Sequence, residues 1–245
     1  MSARNFDRNF DGISAILFDK DGTLLHYDES WGPVNREAAR IASAGNPALE
    51  RQLLDVGGME DASGHTRADS LFAAGSAADI AVGLVSAGSP LDTDLLTREL
   101  DALFLRSAEY SAPVGDLAAL FSRLKGRGLK LGVASSDNEA AIRATAARFG
   151  FAGYLDFVAG YDSGFGVKPQ PGMLLAFCRA LGLDPSAVAM VGDNNHDMAM
   201  AKAAGAGLKV AVLTGTGTLE TLSVAADLVL SDITEIEPLL PNMQF

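Results

Sequence analysis

Residues Ile13–Leu25 read I-S-A-I-L-F-D-K-D-G-T-L-L, and this stretch decides the fold. Ile13 to Phe18 is a short apolar run of the kind that forms a strand buried on both faces. It breaks off abruptly at Asp19, Lys20, Asp21 and Gly22. In an open α/β sheet, ligands bind outside the carboxyl ends of the strands, so Asp19 and Asp21 are expected at a site. Gly22 can take backbone angles that other residues avoid, which lets the chain turn away from the second aspartate. Two carboxylates this close repel unless positive charge lies between them, and a hard divalent cation suits their oxygens. The competing reading is a solvated turn after a strand. An EF-hand loop fits poorly, because its glycine stands sixth and here it stands fourth.

Around this stretch the chain has 245 residues, enough for one large α/β domain or two smaller ones. With 48% hydrophobic and 20% charged residues it can bury a sizeable core. Its formal net charge of −12 argues against a general nucleic-acid or anionic-membrane partner. An anion site in such a field needs local positive groups or a metal. Cys178 is the only cysteine, which excludes an intrachain disulfide and makes a reducing, cytoplasmic setting the expectation. It lies in the apolar stretch Met173–Leu183 and reads as a small core residue rather than a nucleophile. No apolar run approaches the roughly 20 residues that span a bilayer. The opening M-S-A-R-N-F-D-R-N-F-D-G mixes charges and lacks the apolar segment of a signal peptide.

After Leu25 the texture changes to alanine, leucine and charged residues with little β-branched alternation. Helices are expected over Pro33–Ser43, over Pro47–Val56, in one or two pieces of Ala68–Ala87, and over Leu91–Tyr110 as the longest. From Val114 onward, helices and short apolar runs alternate. Strands are expected at Leu129–Ala134, Phe157–Ala159, Ala187–Val191, Leu208–Leu213 and Asp227–Leu230, and a short helix at the C-terminus. This order implies a mostly parallel sheet with right-handed crossovers. The expected division is an α/β core from residues 1–25 and 112–245, interrupted by a helical insertion at 26–111.

Three later strand ends supply polar groups. Ser135 follows L-K-L-G-V-A just before a helix start, where a hydroxyl and free N–H groups suit an anion. A plain N-cap explains it equally well. Lys168 lies in G-V-K-P-Q-P-G, where Pro169 favours an extended backbone and Pro171 the first turn of a helix, a frame that would aim the ammonium. Asp193 and Asp197, in V-G-D-N-N-H-D-M, fall on one side of a helix's first turn. Acidic residues favour that end of a helix in any case. The chemical reading makes Asp193 a metal ligand and Asp197 its support. His196 suits the surface or the helix start better than a Mg²⁺ site, which prefers oxygen. Gly215-Thr216-Gly217 lacks the Walker lysine and reads as a loop.

In this order, D-x-D-G-T, strand-Ser, K-P-x-P and G-D-x-x-x-D resemble the four motifs of the haloacid dehalogenase superfamily. The resemblance covers Ile13–Leu25 and Val114–Leu230, and the helical insertion looks like that superfamily's C1 cap. The segment P-V-G-D-L-A-A-L-F-S-R-L-K-G-R-G-L-K-L-G-V-A-S at Pro113–Ser135 is most similar to its phosphoglycolate-phosphatase-like branch. The resemblance implies a Rossmann-like core and a Mg²⁺-dependent phosphatase acting on a small phosphorylated metabolite. It implies that Asp19 attacks phosphorus to form an aspartyl-phosphate, and that Asp21 protonates the leaving oxygen and then activates water. Asp19, Asp193 and the backbone carbonyl of Asp21 would hold Mg²⁺, with Asp197 behind them. Gly22, Ser135 and Lys168 would contact the phosphoryl group, and Ser136 is a weaker substitute for Ser135.

A phosphomutase of the β-phosphoglucomutase type shares these motifs and is the nearest alternative. A phospho-receiver domain is remote, being about half this length and lacking an insertion after its first strand. For the leaving group the candidates are the insertion's basic residues Arg36, Arg40, His65 and Arg67. Of these, Arg67, in the glycine-rich loop Gly57–Arg67, is the foremost, because a guanidinium can grip a carboxylate bidentately. An exposed connector whose charges touch nothing explains the same loop.

Overall fold

The strand β1 (Ala15–Phe18) is buried along its whole length because it lies inside a sheet, not at its edge. The structure, a computed structural model, describes residues 9–241. Most of the charged opening stretch, Met1 to Arg8, therefore lies outside the described residues. The other strands are β2 (Lys130–Ala134), β3 (Phe157–Ala159), β4 (Val188–Gly192), β5 (Leu208–Val212) and β6 (Leu228–Leu230). They form one parallel sheet in the order β3-β2-β1-β4-β5-β6. The order reverses direction at β1, the switch point outside which such sheets open a crevice. Phe18 pairs with Val133 on one side and Val191 on the other, so three strand ends stand level there.

Alternation along β1 assigns its side chains to the two faces. Ile16 and Phe18 join Leu120 and Phe121 of α6 (Leu117–Gly126) and Ile142 of α7 (Glu139–Arg148). Ala15 and Leu17 face Met173 and Phe177 of α8 (Gly172–Leu181) and Met200 of α9 (Asn195–Ala204). Cys178 is buried in this second layer. Among the described residues no helix is long and apolar enough to cross a membrane.

Between the first and second strands the chain makes α1 (Tyr27–Ala42), α2 (Pro47–Gly57), α3 (Leu71–Ala74), α4 (Ala77–Ser86) and α5 (Thr93–Arg106). Asn46, Ser76 and Asp92 cap α2, α4 and α5 through their side chains, which satisfies orphan N–H groups. These helices share an apolar cluster of their own around Trp31, Leu53, Ile80, Leu100 and Phe104. The chain leaves and rejoins the sheet side by side. His26 N donates to Ala112 O at 2.9 Å and Val114 N to Leu24 O at 2.9 Å.

Three details depart from the sequence expectations. α1 begins at Tyr27, not Pro33, and holds the proline inside it. Tyr27, Trp31, Val34 and Ala38 recur at helical spacing and are all buried, and that apolar face outweighs the hydrogen bond the proline cannot make. α1 is also the longest helix, with 16 residues against 14 for α5, because the chain after Arg106 tightens into a 3-10 turn at Ser107–Glu109. The C-terminal helix is replaced by two 3-10 turns, Ile233–Glu235 and Glu237–Leu239, the second with a proline in its first turn.

Candidate active site

The level ends of β1, β2 and β4 carry Asp19, Ser135 and Asp193 to one place. Lys168, from the loop before α8, binds across them. Its Nζ donates to Asp19 Oδ1 at 2.5 Å and to Asp197 Oδ1 at 2.6 Å, all three side chains being buried. Asp197, the third residue of α9, turns its other oxygen to the Asn194 N–H at 3.2 Å, closing a capping box with Asn194. Both of its oxygens are thus engaged. Asp193 Oδ2 accepts from Thr216 N at 2.9 Å. Ser135 lines the cleft, and its Oγ accepts from Asp137 N at 3.1 Å, a turn contact; the N-cap of α7 is Asn138, not Ser135.

Asp21 stands beside this group and pairs with Lys20, Nζ to Oδ1 at 2.7 Å. Lys20 also reaches Asp137 at 3.1 Å and lies 5.4 Å from the centre of the Trp31 ring. It is almost completely buried. Asp19, Asp21, Ser135, Lys168, Asp193 and Asp197 all line one open cleft of about 510 Å³ between the sheet and the insertion.

Two glycines are required by close approach. Gly22 has φ +79°, and a Cβ there would stand 2.5 Å from the Asp193 carboxylate. Gly22 does not itself line the cleft; it makes room for Asp193 and gives its carbonyl to Thr214. A Cβ on Gly215 would come within 1.8 Å of an Asp193 oxygen. The Gly215-Thr216-Gly217 loop, unremarkable in sequence, is therefore the support on which Asp193 rests.

Other placements differ from expectation. Arg67 is outside the cleft lining, donating to the Asp55 carboxylate at 3.1 Å and the Asp55 carbonyl at 2.6 Å. Its loop is closed by Arg67 N on Gly58 O at 2.8 Å and Glu60 N on His65 O at 2.9 Å, a folded turn in place of a free connector. Ser136 donates to Ala74 O at 3.3 Å, tying the core to α3. His196 sits at the start of α9 and lines the cleft. Lys20, Asp137, Trp31 and Asn194 were not singled out by sequence. Trp31 carried the signal of the α1 apolar face alone, and Lys20 and Asp137 are defined by each other across more than a hundred positions.

The electrostatics follow from crowding. Burial, and then the neighbouring Asp197 and Asp21 charges, push the Asp19 carboxyl up to about 7 despite the opposing pull of Lys168. Burial and the charges of Asp19 and Asp197 hold Asp193 well above the usual carboxylate range. Lys168 is kept protonated by Asp19 and Asp197 against the penalty of burial. A carboxyl with its folded value above its unfolded one binds more protons folded, so its contribution to stability falls as pH rises from about 4 to about 7. In EDTA the Tm should therefore decline across that window, and added Mg²⁺ should flatten the decline. A Tm trend identical with and without Mg²⁺ would show that these carboxyls do not produce it.

Oxygens of Asp19, Asp193 and Asp197 all lie within 4.8 Å of one another. An all-oxygen, all-carboxylate donor set with shared excess charge fits a hard divalent cation. Asp197 gives both oxygens to Lys168 and the Asn194 N–H, and Asp193 accepts from Thr23 Oγ1 at 3.5 Å and from Thr216 N at 2.9 Å.

A parallel sheet of this order, with converging carboxylates and a buried lysine at its switch point and a helical insertion over them, defines a hydrolase of a particular kind. Residues 13–205 match the haloacid dehalogenase-like hydrolase family, and the chain belongs to it. Within that family it sits among phosphatases. It is 31% identical over 224 residues to a probable phosphatase IndB of Dickeya dadantii, covering 89% of this chain and 88% of that protein. It is 32% identical to a phosphoglycolate phosphatase of Rhodospirillum rubrum, covering 78% and 76%. In fold it is similar to the crystal structure of a predicted phosphoglycolate phosphatase from Haemophilus somnus, with TM-score 0.70 at 18% identity, covering 93% and 97%.

Proposed function

We propose that the protein is a Mg²⁺-dependent phosphatase that hydrolyses a small phosphomonoester through an aspartyl-phosphate at Asp19. The observation that carries this reading is the buried Lys168 holding Asp19 within one ion's reach of Asp193. Mg²⁺ bound by Asp19 and Asp193, with the Asp21 carbonyl, would offset negative charge and polarise the phosphoryl group. The steps themselves belong to side chains. A carboxylate oxygen of Asp19 forms a bond to phosphorus as the bond to the leaving oxygen breaks, and Asp21 gives that oxygen a proton. Water then attacks the same phosphorus, Asp21 takes its proton back, and orthophosphate departs with the Asp19 carboxylate restored. Lys168 and the Ser135 hydroxyl would steady the other phosphoryl oxygens throughout.

Lys20, paired with Asp21, fixes where the proton donor stands. Replacing Asp21 with asparagine keeps its size and removes its proton. Asp21→Asn should lower kcat by about 10²–10⁴-fold, the usual worth of positioned acid–base help, with Tm little changed. Orthophosphate release from p-nitrophenyl phosphate, compared with release from an alkyl phosphate, measures it. The alkyl ester should suffer more, since its leaving oxygen needs the proton more. Unchanged turnover of the alkyl ester would remove Asp21 from the proton-transfer role.

A further inference from the structure

We infer that the substrate of this site is the phosphomonoester of an uncharged polyhydroxyl compound, and that a second anionic group on the leaving side is rejected. The inference rests on the phosphatase reading above and concerns only the part of the substrate beyond phosphorus. Three independent features of the cleft lead to it.

The first is charge. Asp19, Asp21, Asp137, Asp193 and Asp197 all line the cleft, and among the described residues Lys168 is the only lysine or arginine that does. Carboxylates that hold a metal are ionised. With Lys168, the adjoining Lys20 and one divalent cation set against the four carboxylates left ionised while Asp21 carries its proton, no positive charge is in excess, and the phosphoryl group itself makes the cleft negative. Like charge brought into a desolvated cleft is strongly unfavourable.

The second is the commitment of the insertion's cations. Arg36 pairs with Asp61 at 2.5 Å, Arg40 with Glu37 at 2.6 Å, His65 with Asp28 at 2.9 Å and Arg67 with Asp55 at 3.1 Å. None of the four, nor Arg51, Arg98 or Arg106 of the same insertion, lines the cleft. A carboxylate on the leaving group would find no counter-charge from this side.

The third is what the walls do offer. The insertion presents Tyr27, Trp31, Phe72, Ile80 and Phe104, an apolar and largely aromatic surface. The Tyr27 hydroxyl is already spent on Phe72 O at 2.6 Å. Asn194 and His196 also line the cleft, and Asn194 Nδ2 and His196 Nδ1 are buried with no hydrogen-bond partner among the described residues. A buried polar atom without a partner is costly, and a ligand hydroxyl would relieve it. An apolar wall together with unpaired polar atoms matches a polyol or sugar, which has C–H faces and hydroxyl edges.

The test uses matched pairs with Mg²⁺: 2-hydroxyethyl phosphate against phosphoglycolate, and sorbitol 6-phosphate against 6-phosphogluconate. In each pair kcat/KM should be higher for the uncharged member by about tenfold or more, the scale of a like-charge penalty. Asn194→Ser keeps the helix cap and removes the unpaired amide donor, and should raise KM for sorbitol 6-phosphate more than for p-nitrophenyl phosphate. A ratio near one within the pairs, or a preference for either carboxylate, overturns the inference and leaves the phosphatase reading standing. Equal effects of Asn194→Ser on both substrates overturn its hydrogen-bonding part. Absence of turnover of every ester, p-nitrophenyl phosphate included, overturns the phosphatase reading and the inference with it.

Discussion

Asp19→Asn should yield a folded protein whose turnover is lower by about 10⁴-fold or more, the loss expected when a nucleophile is removed from a concerted group. The amide matches the carboxylate in size, so the contact with Lys168 survives sterically, and Asp197 still binds the ammonium at 2.6 Å. What is lost is the attacking oxygen. Asp19 sits among Asp193, Asp197 and Asp21, and removing one of these like charges relieves repulsion in the metal-free protein. Tm in EDTA should thus be equal to or higher than that of the parent. The measurement is orthophosphate release alongside thermal unfolding, with acid-quenched protein assayed for covalently bound phosphate. Turnover within tenfold of the parent would place the nucleophile elsewhere.

The second large effect concerns the metal. Full removal with EDTA should bring activity to background, and Mg²⁺ should restore it. Ca²⁺ should fail to restore it and should compete with Mg²⁺. Mg²⁺ demands compact octahedral coordination, whereas the larger Ca²⁺ accepts more oxygens and can draw both oxygens of a carboxylate such as Asp19 to itself. The two aspartates of α9 and the strand before it separate by magnitude. Asp197→Asn should raise the Mg²⁺ concentration for half-maximal activity by roughly 10–100-fold, as loss of a supporting partner does. Asp193→Asn should raise it further, because a ligand is removed and because the Thr216 N–H loses its charged acceptor. Activity that persists in EDTA, or Asp193→Asn with unchanged Mg²⁺ dependence, would contradict the assignment.

Much of this architecture was legible because its signals are local. The apolar run before Asp19 marked a strand buried on both faces, and the later runs at Leu129–Ala134 and Ala187–Val191 marked two more strands, whose place on either side of it only the structure shows. Asp92 was readable as a helix start, since a side chain that satisfies an orphan N–H lies within three residues of it. The parallel pairing of the sheet followed from alternation. What stayed illegible is fixed by partners remote in sequence. Nothing near Arg67 or Arg36 announces that each is bound to a nearby acid and turned from the cleft. Nothing in Gly215-Thr216-Gly217 announces Asp193, more than twenty positions earlier. Lys20 is read as filler between two aspartates until Asp137 is brought to it by the second strand. Pro33 misled for a related reason, because the face it belongs to begins upstream at Tyr27.

The central place of β1 also governs the order in which the molecule can assemble. Its two sheet neighbours are supplied by residues 130–134 and 188–192, although β1 itself is made first. At the roughly 5–20 residues per second of synthesis, β1 waits about ten seconds or more for its second edge to be covered. The insertion has no such delay. The buried members of its apolar cluster all lie within residues 27–104, so each is made before either neighbouring strand, with Tyr161 joining from the core later. The nascent chain thus carries the earliest strand beside a helical segment whose buried partners are already made, while the strand's own neighbours are still to come.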